Sequence, residues 1–166
     1  MMIVSAERAG VRALTFEDFF AREYSAVYRA SYLSTGSRET AQDVTQEAFA
    51  RAYSRWTKLR NEPWAGGWVM TTAVNLCKRH HKQSSRRLEV HPRDDLVDNV
   101  SDTSLDLSAA LQRLPLRQRT ATVLFYLGDL PVDRIARLMD VSEETVKAHL
   151  AQARSSLKKL MEAPHE

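Results

Sequence analysis

The residues between Pro131 and Leu150 have the types and spacing of a unit that reads DNA bases. Two short apolar-periodic segments flank a tight turn at Asp140, and the second segment continues into a basic tail. Such a turn commonly needs a left-handed backbone, which Asp tolerates better than most residues. The small side chain of Ala136 suits the place where two helices cross closely. The pattern predicts a helix-turn-helix whose second helix, capped by Ser142, lies in a major groove.

The side chains that follow Ser142 are those that we expect to face the bases. Gln152 is suited to an adenine edge, and Lys147 to a guanine or a phosphate. Ala148 and Ala151 are small enough to touch a thymine methyl group. An ordinary helical hairpin with a solvated basic face is the alternative at this point. The small residue, the turn position and the serine cap together favour DNA binding.

The charge of the chain is distributed in three blocks. Its formal net charge is +3, and its 43% hydrophobic and 27% charged residues are typical of a globular protein. Residues 64–93 contain six Lys or Arg and one acid, residues 94–106 contain five Asp and no base, and residues 145–160 contain four bases and no acid. This order predicts two nucleic-acid-facing blocks separated by a solvated connector.

Every segment with a sustained period has the spacing of a helix, so the sequence predicts an all-α protein. Thr15, with Asp18 three residues later, predicts the capping box of a first helix. Gly36 is expected to end that helix, and Ser37 to cap the second. The apolar stripes expected to face the core are Phe16, Phe20, Tyr24, Val27 and Tyr28 in the first helix and Ala41, Val44, Ala48, Ala52 and Trp56 in the second, which Phe49 and Tyr53 widen.

The rest of the chain predicts two small helical domains. A third helix is expected from Pro63, ending in the polar run 78–87. Residues 83–105 are rich in Ser, Arg and Asp and have no period, which predicts a flexible acidic linker. A second helical block starts near Leu107 and ends with the helix-turn-helix.

A metal site is a competing interpretation of the polar run. Cys77, His80, His81 and His91 offer four potential ligands, but structural zinc sites usually have paired ligands at both ends. We therefore expect a solvated helix end with neither metal nor cofactor. The chain has no glycine-rich phosphate loop and no nucleophile elbow, so we expect it not to be an enzyme.

Cysteine content and hydropathy indicate the compartment. A single cysteine allows no internal disulfide and favours a reducing environment. No apolar run reaches membrane-spanning length, and the chain does not start with the apolar core of a secretion signal. We expect a cytoplasmic protein without stable membrane insertion.

Several motifs resemble those of the extracytoplasmic-function (ECF) sigma factors of the sigma-70 family. LPLRQR at 114–119, YLGDL at 126–130, IA at 135–136 and SEETVK at 142–147 resemble their region 4. DVTQEAF at 43–49 resembles their region 2 helix, and Trp68, Ala73 and Asn75 match the pattern that follows it. The resemblance implies region 2 over residues 15–83, a linker over 84–106 and region 4 over 107–161, after a flexible N-terminus at 1–14.

The resemblance also implies a function. Such proteins bind the beta and beta-prime subunits of core RNA polymerase and direct it to promoter DNA. Region 2 recognises and melts the minus-ten element, and region 4 reads the minus-thirty-five element. Small family members are commonly held inactive by an anti-sigma factor. A helix-turn-helix regulator that binds duplex DNA without core polymerase is the alternative.

The family roles transfer to individual positions of this chain. The implied polymerase contacts are Asp43, Gln46 and Glu47. The implied minus-ten contacts are Lys58, Arg60 and Asn61 in a base-capturing loop at 57–63, Trp64 as a stacking surface, and Asn75, Lys78, Arg79 and Lys82 on phosphates. The implied minus-thirty-five contacts are Arg117, Arg119, Thr145, Lys147, Ala148, His149, Ala151, Gln152 and Arg154. We expect Trp68 to belong to the core.

Four positions depart from the family pattern. Positions 71 and 74 are usually basic in the family but are Thr71 and Val74 here, and positions 149 and 152 are often Arg but are His149 and Gln152. We therefore expect the promoter preference to differ from the commonest pattern of the family.

Overall fold

The computed structural model describes residues 14–87 and 102–162, and every regular element in these two ranges is an α-helix. The helices of the first range are α1 (Phe16–Thr35), α2 (Arg38–Ser54), α3 (Trp56–Leu59) and α4 (Ala65–Arg87). Those of the second range are α5 (Asp102–Gln112), α6 (Leu116–Tyr126), α7 (Val132–Met139) and α8 (Glu143–Glu162). The prediction of an all-α fold is confirmed for this part of the chain.

Local signals placed the ends of the first two helices correctly. The Thr15 side chain accepts from the backbone N–H of Asp18, and the Asp18 carboxylate accepts from the backbone N–H of Thr15, which forms the predicted capping box. Gly36 ends α1 in the left-handed conformation at φ 70°. The Ser37 hydroxyl accepts from the backbone N–H of Thr40 and begins α2.

Other boundaries differ from those predicted. The third long helix begins at Ala65 rather than Pro63, and it continues through the polar run to Arg87. The helix expected near Leu107 already begins at Asp102. Residues 83–87 and 102–105, expected in the linker, are helical although their sequence shows no apolar period. The remainder of the expected linker, 88–101, and the N-terminus at 1–13 lie outside the described residues.

α1, α2 and α4 pack against one another, and α8 packs against α5, α6 and α7. In α1 the fully buried residues are Phe19, Val27, Ala30 and Ser31, whereas Phe20 is 39% exposed. The predicted apolar stripe was therefore wrong at two neighbouring positions, since Phe19 and not Phe20 faces the core. In α2 Ala41, Val44, Ala48, Phe49 and Ala52 are buried as expected, but Tyr53 is 65% exposed.

The two helical groups also contact each other. α1 packs against α5 and α6, and α4 packs against α6. The side-chain Nε2 of Gln112 donates to the carbonyl of Leu33 over 2.6 Å. This hydrogen bond links the last turn of α1 to the second helical group. Gly128, after α6, packs so closely on α4 that an added Cβ would lie 3.1 Å from Met70 Cγ.

The first prediction concerns this close approach. A Cβ at position 128 would also lie 2.6 Å from the carbonyl oxygen of Leu124, which belongs to the backbone and cannot move aside cheaply. We expect Gly128→Ala to lower the free energy of unfolding by about 1–3 kcal/mol, measured by urea denaturation. Gly66→Ala is the control, since the three atoms nearest to its Cβ all belong to the carboxylate end of the flexible Glu23 side chain rather than to backbone. Equal stability of the two variants would contradict the close packing of Gly128 against Leu124 and Met70.

The second prediction concerns Cys77, which is 1% exposed. Burial raises the pKa of the Cys77 thiol to about 12. Because the thiolate is the reactive form, we expect alkylation of the native protein at pH 8 to be at least about a hundredfold slower than alkylation in urea. Timed reaction with iodoacetamide, followed by mass spectrometry, measures both rates. Rapid alkylation of the folded protein would show that the thiol is accessible.

Candidate nucleic-acid interface

The helix-turn-helix has the predicted geometry. Asp140 adopts the left-handed conformation, with φ 54° and ψ 52°, between α7 and α8. The Ser142 hydroxyl accepts from the backbone N–H of Thr145 over 3.1 Å and caps α8. Ile135 and Ala136 of α7 are buried, as are Val146 and Leu150 of α8. This shared core fixes the opposite side of α8 toward solvent.

The exposed side of α8 carries most of the residues predicted to read the minus-thirty-five element. Lys147, Ala148, Ala151, Gln152 and Arg154 are all exposed. Gln152 Oε1 accepts from the Gln118 side chain over 3.1 Å, and Arg154 donates to the hydroxyl of Tyr126 over 3.3 Å. These two hydrogen bonds orient the longer side chains of the surface without burying them.

Thr145 and His149 lie at the edge of that surface. Both are half-buried, and the Thr145 hydroxyl is engaged with the Ser142 hydroxyl over 2.9 Å. The Nδ1 atom of His149 is buried and has no hydrogen-bond partner within the described ranges. The packing of α8 therefore leaves His149, an implied minus-thirty-five contact, less exposed than Lys147 and Ala148.

Arg117 and Arg119 have different environments, although the resemblance implied one role for both. Arg117 is exposed. Arg119 is only 7% exposed, and its Nη1 donates to Oε1 of Gln112. Burial lowers the pKa of the Arg119 guanidinium. In this arrangement Arg119 cannot reach a DNA phosphate, so the expectation of a phosphate contact is corrected for this residue.

The C-terminal half of α4 presents a row of cations. Asn75, Arg79 and Lys82 are exposed, as predicted for phosphate contacts. Lys78 is half-buried, and burial, followed by the nearby charge of Arg117, lowers the pKa of its ammonium group. Arg86, which the sequence analysis did not select, continues the exposed row at the spacing of a helix face.

The residues predicted to capture a base occupy the connection between α2 and α4. Lys58, Arg60 and Asn61 are exposed, although Lys58 lies within the short helix α3 rather than in a loop. Trp64 is 42% exposed. Trp68 packs against the core, as expected, with the guanidinium of Arg55 5.7 Å from its ring centre.

The predicted polymerase-binding residues lie on the outer side of α2. Asp43, Gln46 and Glu47 are exposed, opposite the buried Val44 and Ala48. Glu47 forms an ion pair with Arg51 one turn later. The structure therefore brings these three residues together on one accessible surface.

The contact between the two helical groups brings predicted minus-ten and minus-thirty-five residues together. Lys78 and Lys82 of α4 and Arg117 of α6 line a shared cleft of about 550 Å³. The base-capturing residues and the exposed side of α8 do not line this cleft. In the described part of the chain, no group of three His, Cys, Asp or Glu could hold a metal ion, and none of the helices could span a membrane.

Comparisons with known proteins match both helical groups. The family model of sigma-70 region 2 matches residues 19–87, and that of sigma-70 region 4 matches residues 104–157. The chain is 30% identical to the ECF RNA polymerase sigma factor SigM of Mycobacterium tuberculosis, over 96% of this chain and 83% of the relative. It is 26% identical to the ECF RNA polymerase sigma factor SigM of Bacillus subtilis, over 89% of this chain and 95% of the relative.

Two solved structures share the fold. The sigma factor RpoE of Bartonella quintana, solved in complex with the anti-sigma factor NepR, has a TM-score of 0.70 at 17% identity and covers 90% of this chain and 98% of its own. CnrH, solved in complex with the cytosolic domain of CnrY, has a TM-score of 0.64 at 18% identity and covers 90% and 89%. Both family models match in the expected order, and a relative that is an ECF sigma factor is 30% identical over most of both chains. The chain therefore belongs to the ECF sigma factors of the sigma-70 family.

Proposed function

We propose that this protein binds core RNA polymerase and directs it to promoters, where it supports melting and transcription initiation. The observation that carries the proposal is the combination of two accessible surfaces in one chain. The outer side of α2 is free to contact a protein, and the exposed side of α8 is free to enter a major groove. A regulator that binds duplex DNA alone has no need of the first surface.

The α2 surface is suited to a polar protein interface. Asp43 and Glu47 supply two carboxylates and Gln46 supplies an amide, all on the solvated side of a helix whose other side is fixed by the core. Charged groups at the margin of an interface mainly direct encounter and register. We propose that these residues contact the beta and beta-prime subunits of the polymerase.

The two DNA contacts have different chemistry. On α8, amide, ammonium and small apolar groups are suited to base edges in duplex DNA. Around α3 and the start of α4, Trp64 offers a ring for stacking, and Lys58 and Arg60 offer charges for phosphates, a combination suited to unpaired bases. We propose that α8 reads the minus-thirty-five element and that this second surface holds a flipped minus-ten base, whose unstacking costs a few kcal/mol.

Control by a protein partner is part of the same proposal. Both solved structures described above are complexes of a sigma factor, or of a protein of the same fold, with a second polypeptide. We infer that an anti-sigma factor covers the polymerase-binding surface of this chain in the cytoplasm. The protein supplies binding and orientation to the polymerase and has no catalytic role of its own.

The third prediction tests the polymerase contact. We expect Asp43→Lys to weaken binding to core polymerase at least about tenfold, because a reversed charge opposes a complementary surface. Fluorescence anisotropy of the labelled protein titrated with core enzyme measures the affinity. Glu17→Lys, the same charge reversal at an exposed position of α1, is the control. Equal losses in both variants, or no binding by the unaltered protein, would contradict the proposed surface.

The fourth prediction tests base reading by α8. We expect Gln152→Arg to shift the preferred upstream element toward guanine at one position, because Arg pairs with the guanine edge where Gln pairs with adenine. Transcription by the reconstituted polymerase from a library of randomised upstream elements, read by sequencing, measures the preference. Ser155→Arg is the control, since a guanidinium that reaches only phosphates raises affinity without changing the preferred sequence. An unchanged sequence preference of Gln152→Arg would show that Gln152 does not contact a base.

A further inference from the structure

The cleft between the two helical groups is lined by cations from both sides. Lys78, Lys82 and Arg86 reach it from α4, and Arg117 reaches it from the first turn of α6. Asp and Glu are absent from its lining among the described residues. Its volume of about 550 Å³ lies in the range of small-molecule sites. The cleft is therefore a concave site of one charge sign.

The closeness of these cations is electrostatically unfavourable. Burial and the charge of Arg117 both lower the pKa of Lys78, so the two groups oppose each other across the cleft. The first turn of α6 adds to the positive potential, because Pro115 provides no side-chain cap for the backbone N–H groups of that turn. An anion in the cleft would relieve each of these costs.

The dimensions of the cleft favour a small anion over a duplex. A DNA double helix presents its phosphates along the rim of grooves about 6–12 Å wide, and a concavity of this volume between two helices cannot admit the duplex. Four cations distributed over two walls are suited to several phosphate groups, with the guanidinium groups able to bind them in a bidentate manner. Leu116 and Met139 also line the cleft and offer apolar surface to a group attached to the phosphates.

We propose that this interdomain cleft is a binding site for a small anion that carries two or more phosphate groups. Because the walls belong to α4 and α6, the bound anion also holds the two helical groups together. If the proposed function is right, an occupied cleft engages Lys78, Lys82 and Arg117 and competes with promoter DNA for them. The binding itself does not depend on that function.

The test is calorimetric titration of the full chain with inorganic tripolyphosphate in 150 mM salt, with sulfate as the single-anion comparison. We expect saturable binding of one tripolyphosphate per chain, at least about tenfold tighter than sulfate. Arg117→Gln removes a charge-assisted contact on one wall and is expected to weaken binding about tenfold. Arg113→Gln, the same change at an exposed position outside the cleft, is expected to alter it less than twofold.

A second pair of variants tests the other wall without removing a predicted DNA contact. Ser85 lines the cleft, so Ser85→Glu introduces a carboxylate there and is expected to weaken tripolyphosphate binding about tenfold. Gln83→Glu makes the same charge change on the exposed side of α4 outside the cleft and is expected to have little effect. Circular dichroism confirms that each variant is folded.

Each alternative outcome overturns the proposal. Tripolyphosphate binding no tighter than sulfate would mean that the cleft is not a polyphosphate site. Equal effects of Arg113→Gln and Arg117→Gln would indicate attraction to the net charge of the surface. Weaker binding by Ser85→Glu with unchanged binding by Arg117→Gln would place the anion on α4 alone and would contradict a site shared by both walls. Absence of tripolyphosphate binding by a chain that binds polymerase normally would overturn the cleft site and leave the proposed function standing.

Discussion

The arrangement of the two halves depends on the side chain of Gln112. Its Nε2 donates to the carbonyl of Leu33, 79 positions earlier in the chain, and its Oε1 accepts from Arg119. The last carbonyls of a helix have no partner within that helix, so the end of α1 is completed by a residue of the other domain. Gly36 makes room for this contact, since an added Cβ there would lie 3.0 Å from Cδ of Gln112. Gln112 thereby joins α1, α5 and α6, and α6 lies beside α4 at the cationic cleft.

The same link has a cost that limits its strength. Arg119 is buried, its partner Gln112 is neutral, and its Nε has no hydrogen-bond partner within the described ranges. A buried cation without a counter-charge opposes the state that buries it, and the like charges of Lys78 and Arg117 oppose the same state. Apolar packing and the Gln112–Leu33 hydrogen bond therefore favour contact between the halves, while uncompensated charge disfavours it.

The features that the sequence predicted correctly are those set by neighbours within about four residues. The capping box at Thr15, the glycine end of α1 and the left-handed turn at Asp140 each depend on local geometry. The burial of Arg119 could not be predicted in this way, because it depends on Gln112 and on the packing of α6 against α1 and α4. The exposed side of α8 was predictable from period alone, except at its edges, where Thr145 and His149 are half-buried by packing that no period encodes.

The departure from the family pattern at positions 71 and 74 has a structural reason. Val74 is 2% exposed and lies one turn after Met70, on the side of α4 where Met70 meets Gly128. The hydroxyl oxygen of Thr71 is also buried. A Lys or Arg at position 74 would have to bury its charge against this contact or force the halves apart. An apolar residue at position 74 is compatible with the close approach of Gly128 to Met70, and this approach holds α6 beside α4.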